Sequence, residues 1–386
     1  MKHFLSFLLI LSIMTGCSSS EEPDFSNNPR KNVELSRVEQ ECCARLGDFN
    51  VEILKAASAE TDKNVVLSPL SMAMCLSMRA NFASPELAGQ IYRALGTENL
   101  EALNSLNCKM MAELKKLDKA TTIDLANGLW YNERLSPGDG LASTLKDNYR
   151  ADVFACNPAK APAHVCDWVK KKSKGLIDYT PDAFDILVAN VLYFKGLWKD
   201  EFSEYRTKKA KFHGKNGNTK VDMMYKAQSE LFAAGDNFEV CKKPFGNGAF
   251  YCYFVLPNEG VDIDGFTQSL TSLELASLEY KSYPAALYVP RFELRSTIDN
   301  LIPVLERLGI VGFENEGSYA EKVVHETYLK VDESGAEVAA ITEDELVWIA
   351  PDISGVWEFN LDRPFLVFID EGSTGACIMA AKIVDL

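Results

Sequence analysis

The stretch "FDILVANVLYFKGLW", Phe184 to Trp198, is an almost continuous apolar run in the middle of the chain. A strand that carries apolar side chains on both faces belongs at the centre of a sheet covered above and below. The segments around it supply both the neighbouring strands and the cover. From Leu35 to Ala120 the spacing is helical: "VEQECCARLGDFNVEILKAAS" and "LEALNSLNCKMMAELKKL" place apolar residues three and four apart. "NVVLSPLSMAMCLSMRANF" passes from a short strand into a helix, with Ser68 ahead of Pro69 as a helix start. "TTIDLANGLWYNE" reads as a strand, "GLASTLKDNYRADVFAC" as helix then strand, and "PAHVCDWVKKKSKGLI" as a helix. After Phe202 strands dominate, separated by Gly, Asn and Pro, with one late short helix in "DNLIPVLERLGI". No repeat or long linker divides them. The expectation is one α+β domain with helices packed on a large central sheet and smaller sheets beside it.

A length of 386 residues supports an ample core. The net charge of −15 argues against a nucleic-acid partner, because phosphate binding needs clustered cations, and against a polyanion site. The basic run "VKKKSK" (Val169–Lys174) is read as a solvated helix face. "MKHFLSFLLILSIMTGC" has a basic start, an apolar run too short to span a bilayer, and small residues before Cys17. It reads as an export signal, and "MTGC" resembles the bacterial lipobox, which implies lipidation at Cys17. The polar segment "SSSEEPDFSNNPRKN" then reads as a flexible tether. The expected division is 1–16 signal peptide, 17–34 lipidated tether, and 35–386 a single domain. Membrane attachment is expected through the lipid at Cys17, at an outer-membrane or cell surface. Of ten cysteines, the nine beyond Cys17 have no regular spacing and no CxxC pair. They read as buried small hydrophobes, neither a disulfide framework nor a metal site.

Nothing nominates a catalytic set. The histidines are His3, His164, His213 and His325, and "HETYL" lacks the second histidine of a zinc-protease helix. No G-x-S-x-G elbow, phosphate-binding loop or GxGxxG is present. No cofactor is expected.

Seven collinear motifs resemble the serpin family of protease inhibitors. "NVVLSPLSMAMCLSM" matches through Asn64, Ser68, Pro69 and Ser71, and "NVLYFKGLWKDEF" through Asn190, Tyr193, Phe194, Lys195, Gly196, Trp198 and Phe202. "YFVLPNEG", "LYVPRFEL", "LERLGI", "VVHETYLKVDESGAE" and "DRPFLVFI" follow in order, so the resemblance covers Leu35 to Leu386. It implies the serpin fold with an exposed reactive-centre loop at about 333–362. When that bait loop is cut it inserts into the central sheet as a new strand; serpin loop insertion is a standard instance of strand addition and of strain released by cleavage. The resemblance also implies a hinge at Glu333, Gly335, Ala336, Glu337, Val338, Ala339 and Ala340. It implies a polar cluster beneath the parting sheet, the shutter, at Ser68, Ser71, Asn190 and His325. Trp198 corresponds to the tryptophan at the top of the sheet, the breach, and as a bulky aromatic it also reads as core.

The loop residues can be weighed on their own. A strand alternates its faces. One face would carry Ala336, Val338, Ala340, Thr342, Asp344 and Leu346; the other carries Glu337, Ala339, Ile341, Glu343, Glu345 and Val347. The first face is small and nearly apolar, and the second holds three of the four acids. Asp344 is the misfit on the inner face, at a cost of a few kcal/mol unless protonated, paired or near the sheet's end. The plain alternative is an acidic surface loop. Counting from Glu333 by the family's loop length puts the scissile bond at Ile349–Ala350, within a window from Leu346 to Ala350. Inserting residues 335–349 would carry an attached protease about 50 Å. No Lys or Arg stands between Lys330 and Arg363, so a trypsin-like pocket finds no partner. The expected partners are elastase-, chymotrypsin- or subtilisin-like enzymes, with papain-like cysteine proteases also compatible. The expected protein is a monomeric inhibitor, a suicide substrate with no catalysis of its own. The alternative is a non-inhibitory serpin used as a surface binding module.

Overall fold

Helix starts are set by local chemistry. Ser36 and Glu39 exchange hydrogen bonds in a capping box at the head of α1 (Arg37–Ser58). Ser68 accepts from the Ser71 N–H at the head of α2 (Pro69–Ala80), whose first residue is the proline read from sequence. The structure, a computed structural model, describes residues 27–136, 138–298, 301–315, 321–323, 325–336 and 356–386. Within them α3 (Pro85–Ala94), α4 (Leu100–Glu113), α5 (Leu141–Tyr149) and α6 (Ala161–Lys172) complete the early helices, and α7 (Ile263–Ser269), α8 (Ser272–Ala276) and α9 (Ile302–Arg307) are short.

The strands form two sheets. One contains β2 (Thr121–Asn132), β3 (Asp152–Cys156), β4 (Ile186–Leu197), β10 (Phe292–Ile298), β11 (Glu321–Val323), β12 (His325–Val331) and β13 (Gly335–Ala336), in the order β10-β12-β13-β4-β2-β3 with β11 against β4. The other contains β1 (Val65–Leu67), β5 (Lys208–Gly214), β6 (Gly217–Ala234), β7 (Phe238–Pro244), β8 (Phe250–Pro257), β9 (Lys281–Pro290), β14 (Trp357–Asn360), β15 (Phe365–Glu371) and β16 (Cys377–Ile383). Helix α2 is buried along its whole length and packs against both β4 and β16, so it lies between the sheets.

The apolar run is the central strand β4. Leu187, Ala189 and Val191 pack with Trp130, Val165 and Val169 beneath α6, while Val188 joins Cys75, Met78 and Leu129 on the other face. Toward its end Tyr193 and Lys195 are half-exposed between buried Phe194 and Gly196, because the outer cover stops there. Three of the four lysines of "VKKKSK" pair outward: Lys170 with Asp178, Lys172 with Asp152, Lys174 with Asp124. All nine described cysteines are free, and six are buried. Burial pushes the Cys42 thiol up to about 11 and those of Cys43 and Cys75 up to about 12, so these thiols are inert hydrophobes.

Residues ahead of α1 are tied to the body. Asn28 donates to Asp118 (2.6 Å) and accepts from the Lys119 N–H (3.1 Å), Arg30 reaches the Tyr251 hydroxyl (3.1 Å), and Val33 N–H meets Ser373 (3.0 Å). The stretch read as tether therefore has its last residues docked. Residues 1–26, with Cys17, lie outside the described residues.

Candidate functional site at the opening of the central sheet

Strands β4 and β12 belong to one parallel pair that is closed at one end and parted at the other. At the closed end β11 pairs directly with β4: Glu321 opposite Ile186, Lys322 opposite Leu187, Val323 opposite Val188. At the open end β13 stands between them, antiparallel to both, with Ala336 opposite Gly196 on one side and Val331 on the other. The offset is the same at both ends, so β12 has moved sideways by about one strand spacing, ~4.8 Å, without slipping along the chain. The same offset brings His325 level with Asn190, at the point where the seam begins to part. The geometry is a wedge with the first residues of the loop as its tip.

The wedge is held by the turn from Asp332 to Gly335. The Asp332 carboxylate accepts from the Ser334 and Gly335 N–H groups (3.1 and 3.2 Å), and Asp332 and Gly335 exchange backbone bonds. A β-carbon on Gly335 would fall 2.0 Å from the Gly196 carbonyl oxygen, so only glycine allows this approach. Glu333 is buried and bonded to Arg291 and Thr207. Burial alone would push its carboxyl up, but these bonds outweigh it and hold it below the usual carboxylate range. Ala336 is 2% exposed and faces the main core.

Trp198 receives this turn. Its backbone N–H donates to the Ser334 carbonyl (2.8 Å) and its indole N–H to the Asp332 carbonyl (3.0 Å), while the Phe202 N–H donates to the Glu333 carbonyl (2.9 Å). The indole also stacks on Phe245 at 4.5 Å. Trp198 thus stands in the core and at the mouth of the sheet together.

Beneath the parting point the polar residues form two groups. On one side the Ser68 N–H donates to His325 Nε2 (2.9 Å) and the Ser71 N–H to Ser68 Oγ (3.2 Å). On the other, Asn190 donates to Asn127 (2.7 Å), which donates to the Tyr149 carbonyl (2.8 Å). Sequence reasoning named Ser68, Ser71, Asn190 and His325 and missed Asn127; Asn190 in the mostly apolar β4 signals that a buried polar partner is needed, not which residue supplies it. Asn190 Oδ1 and Ser71 Oγ have no partner among the described residues. Of the remaining loop residues, Glu337, Val338, Ala339, Ala340, Ile349 and Ala350 lie outside the described residues.

His325 is neutral, since Nε2 accepts a hydrogen bond and burial lowers its pKa from 6.5 to about 4. Below pH 6.5 an unfolded chain takes up a proton that the folded chain refuses, so the contribution of His325 to stability falls as pH drops from 6.5 toward 4 and is flat above. The loss attributable to this group reaches about 3 kcal/mol. Urea unfolding at pH 7 and pH 4.5 checks it, with His325→Gln expected to flatten that part of the profile.

No hydrolytic set emerges among the described residues. Cys156 Sγ lies 4.0 Å from His164 Nδ1, but that nitrogen already accepts from Trp130 (2.9 Å) and burial raises the Cys156 thiol. The pair has no available base.

A sequence model of the serpin family, serine protease inhibitors, matches residues 44–386. The chain belongs to that family. It is 28% identical to Serpin-Z1 of Arabidopsis thaliana over 361 residues, covering 85% of this chain and 90% of the relative. It is 26% identical to Serpin-Z2A of Triticum aestivum, covering 92% and 97%. Among solved structures the fold is similar to a thermophilic serpin, tengpin, in the native state (TM-score 0.80, 23% identity, 93% and 97% covered). It is also similar to human thyroxine-binding globulin (TM-score 0.77, 22% identity, 90% and 99% covered).

Proposed function

We propose that this chain inhibits serine-type proteases by trapping them. The target's nucleophile attacks within the window Leu346–Ala350, at Ile349–Ala350 by the family's spacing, and forms an acyl-enzyme. The cut loop then inserts between β12 and β4 and carries the enzyme away before water releases it. The wedge is the observation that supports this reading: Gly335 and Ala336 already occupy the first two places of the added strand. Insertion exchanges one parallel pairing for two antiparallel ones, which are slightly more stable per residue. Continuing the observed register by counting sets Thr342 opposite Asn190 on one side and His325 on the other. Its hydroxyl would then meet Asn190 Oδ1, which has no partner among the described residues.

Targets are proteases that prefer apolar residues, since the loop offers no cation to a trypsin-like pocket. Export and a lipid at Cys17 would place the inhibitor at a bacterial cell surface. Incubation with elastase or subtilisin is expected to give a complex that survives boiling in SDS, and trypsin none. In the same experiment Cys17→Ser should trap equally while leaving the membrane fraction. Clean loop cleavage by fully active elastase and subtilisin would instead favour a non-inhibitory binding module.

A further inference from the structure

A buried ion pair lies directly under the mouth of the sheet. Lys243 on β7 is fully buried, and its ammonium sits 2.7 Å from Glu230 Oε1 on β6, itself 5% exposed. Gln228 donates to the same carboxylate oxygen (2.5 Å). The Lys243 ammonium also lies 5.5 Å from the Trp198 ring centre and 5.1 Å from that of Phe202. These two residues hold all three carbonyls of the hinge turn, from Asp332, Glu333 and Ser334. Lys226 senses the same charge: burial first, then repulsion from Lys243, lowers its pKa to about 8.

A buried ion pair is a poor device for stability alone, because matched apolar side chains serve as well or better. An ammonium beside two aromatic rings in a buried site does something an alkyl group cannot, since it attracts both rings and fixes their orientation. In the proposed insertion the hinge turn is the pivot: residues beyond it would enter the sheet, while Asp332, Glu333 and Ser334 would keep their bonds to Trp198 and Phe202. We infer that Lys243, held by Glu230, is a positioning residue for loop insertion, fixing the aromatic pair that carries the pivot. The inference rests on the trapping mechanism proposed above, in its insertion step.

The test uses the full chain carrying the double change Lys243→Met and Glu230→Gln, which leaves no orphaned charge in the core. Lys243→Met alone and Lys243→Arg accompany it. Each protein is nicked in the loop with papain, and insertion is followed by tryptophan fluorescence and by the rise in melting temperature. The double variant is expected to melt within a few degrees of the parent when intact, yet insert about tenfold more slowly. Its stoichiometry of inhibition should rise about fivefold or more, and Lys243→Arg should recover most of both losses. A double variant that inserts and traps at the parent rate overturns the inference, as does one whose only defect is a lower melting temperature. If the parent inserts but traps no protease, the trapping reading fails while the insertion rates still decide the role of Lys243. If the nicked parent never inserts, both fall.

Discussion

Ala336→Arg is expected to turn the inhibitor into a substrate. Ala336 is the tip of the wedge, opposite Gly196 and Val331 and facing the core at 2% exposure. The site has no spare room: a β-carbon on the neighbouring Gly196 would already fall 2.8 Å from the Phe245 ring. An arginine there must either bury an unpaired guanidinium, at several kcal/mol, or stay outside and keep the loop out of the sheet. In the proposed mechanism trapping is a race between insertion and hydrolysis of the acyl-enzyme. A barrier raised by about 3 kcal/mol slows insertion roughly hundredfold, so hydrolysis wins. The assay is titration of elastase with mutant and parent: the mutant should be cleaved repeatedly without forming an SDS-resistant complex, while Ala336→Ser retains trapping. Trapping by the arginine mutant at the parent's stoichiometry would refute the register.

Asp344→Val should act in the opposite direction. The same counting sets Asp344 opposite Val188, which packs with Cys75, Met78, Leu129 and Tyr149 in an apolar cluster. It also falls where β11 pairs with β4, so the last part of the proposed insertion would have to break that seam and bury a carboxylate together. Removing the carboxylate removes a cost of a few kcal/mol. The variant is expected to trap with fewer inhibitor molecules consumed per protease, and its nicked form to melt several degrees higher than the nicked parent at pH 7.5. Because a buried carboxylate is tolerated once protonated, the gap should narrow as pH falls toward 5. An unchanged gap between the two nicked forms at both pH values would place Asp344 outside the sheet.

The central strand was legible from Phe184 to Trp198 because burial on both faces writes itself as an apolar run. Ser68 and Pro69 announced the head of α2 by local capping chemistry. Alternation also divides the loop into an inner and an outer face, but beyond Ala336 that division lies outside the described residues. What could not be read is what depends on long-range register. Nothing near Asn190 says that Asn127 lies opposite, nor that His325 comes level with it through a strand far along the chain. Lys243 escaped notice for a related reason: Val240 and Cys241 are both fully buried in β7, so the strand carries no clean alternation that would mark the lysine as inward. The pairing of Arg291 with Glu333 likewise joins positions that only the folded sheet brings together.

The most direct measurement is a crystal structure of the chain nicked between Leu346 and Ala350. It should show residues 337–346 as a strand antiparallel to both neighbours, Thr342 flanked by Asn190 and His325, and β11 no longer paired with Ile186–Val188. A nicked chain in which β11 still lies against β4, with the residues beyond Ala336 in solvent, would contradict the account.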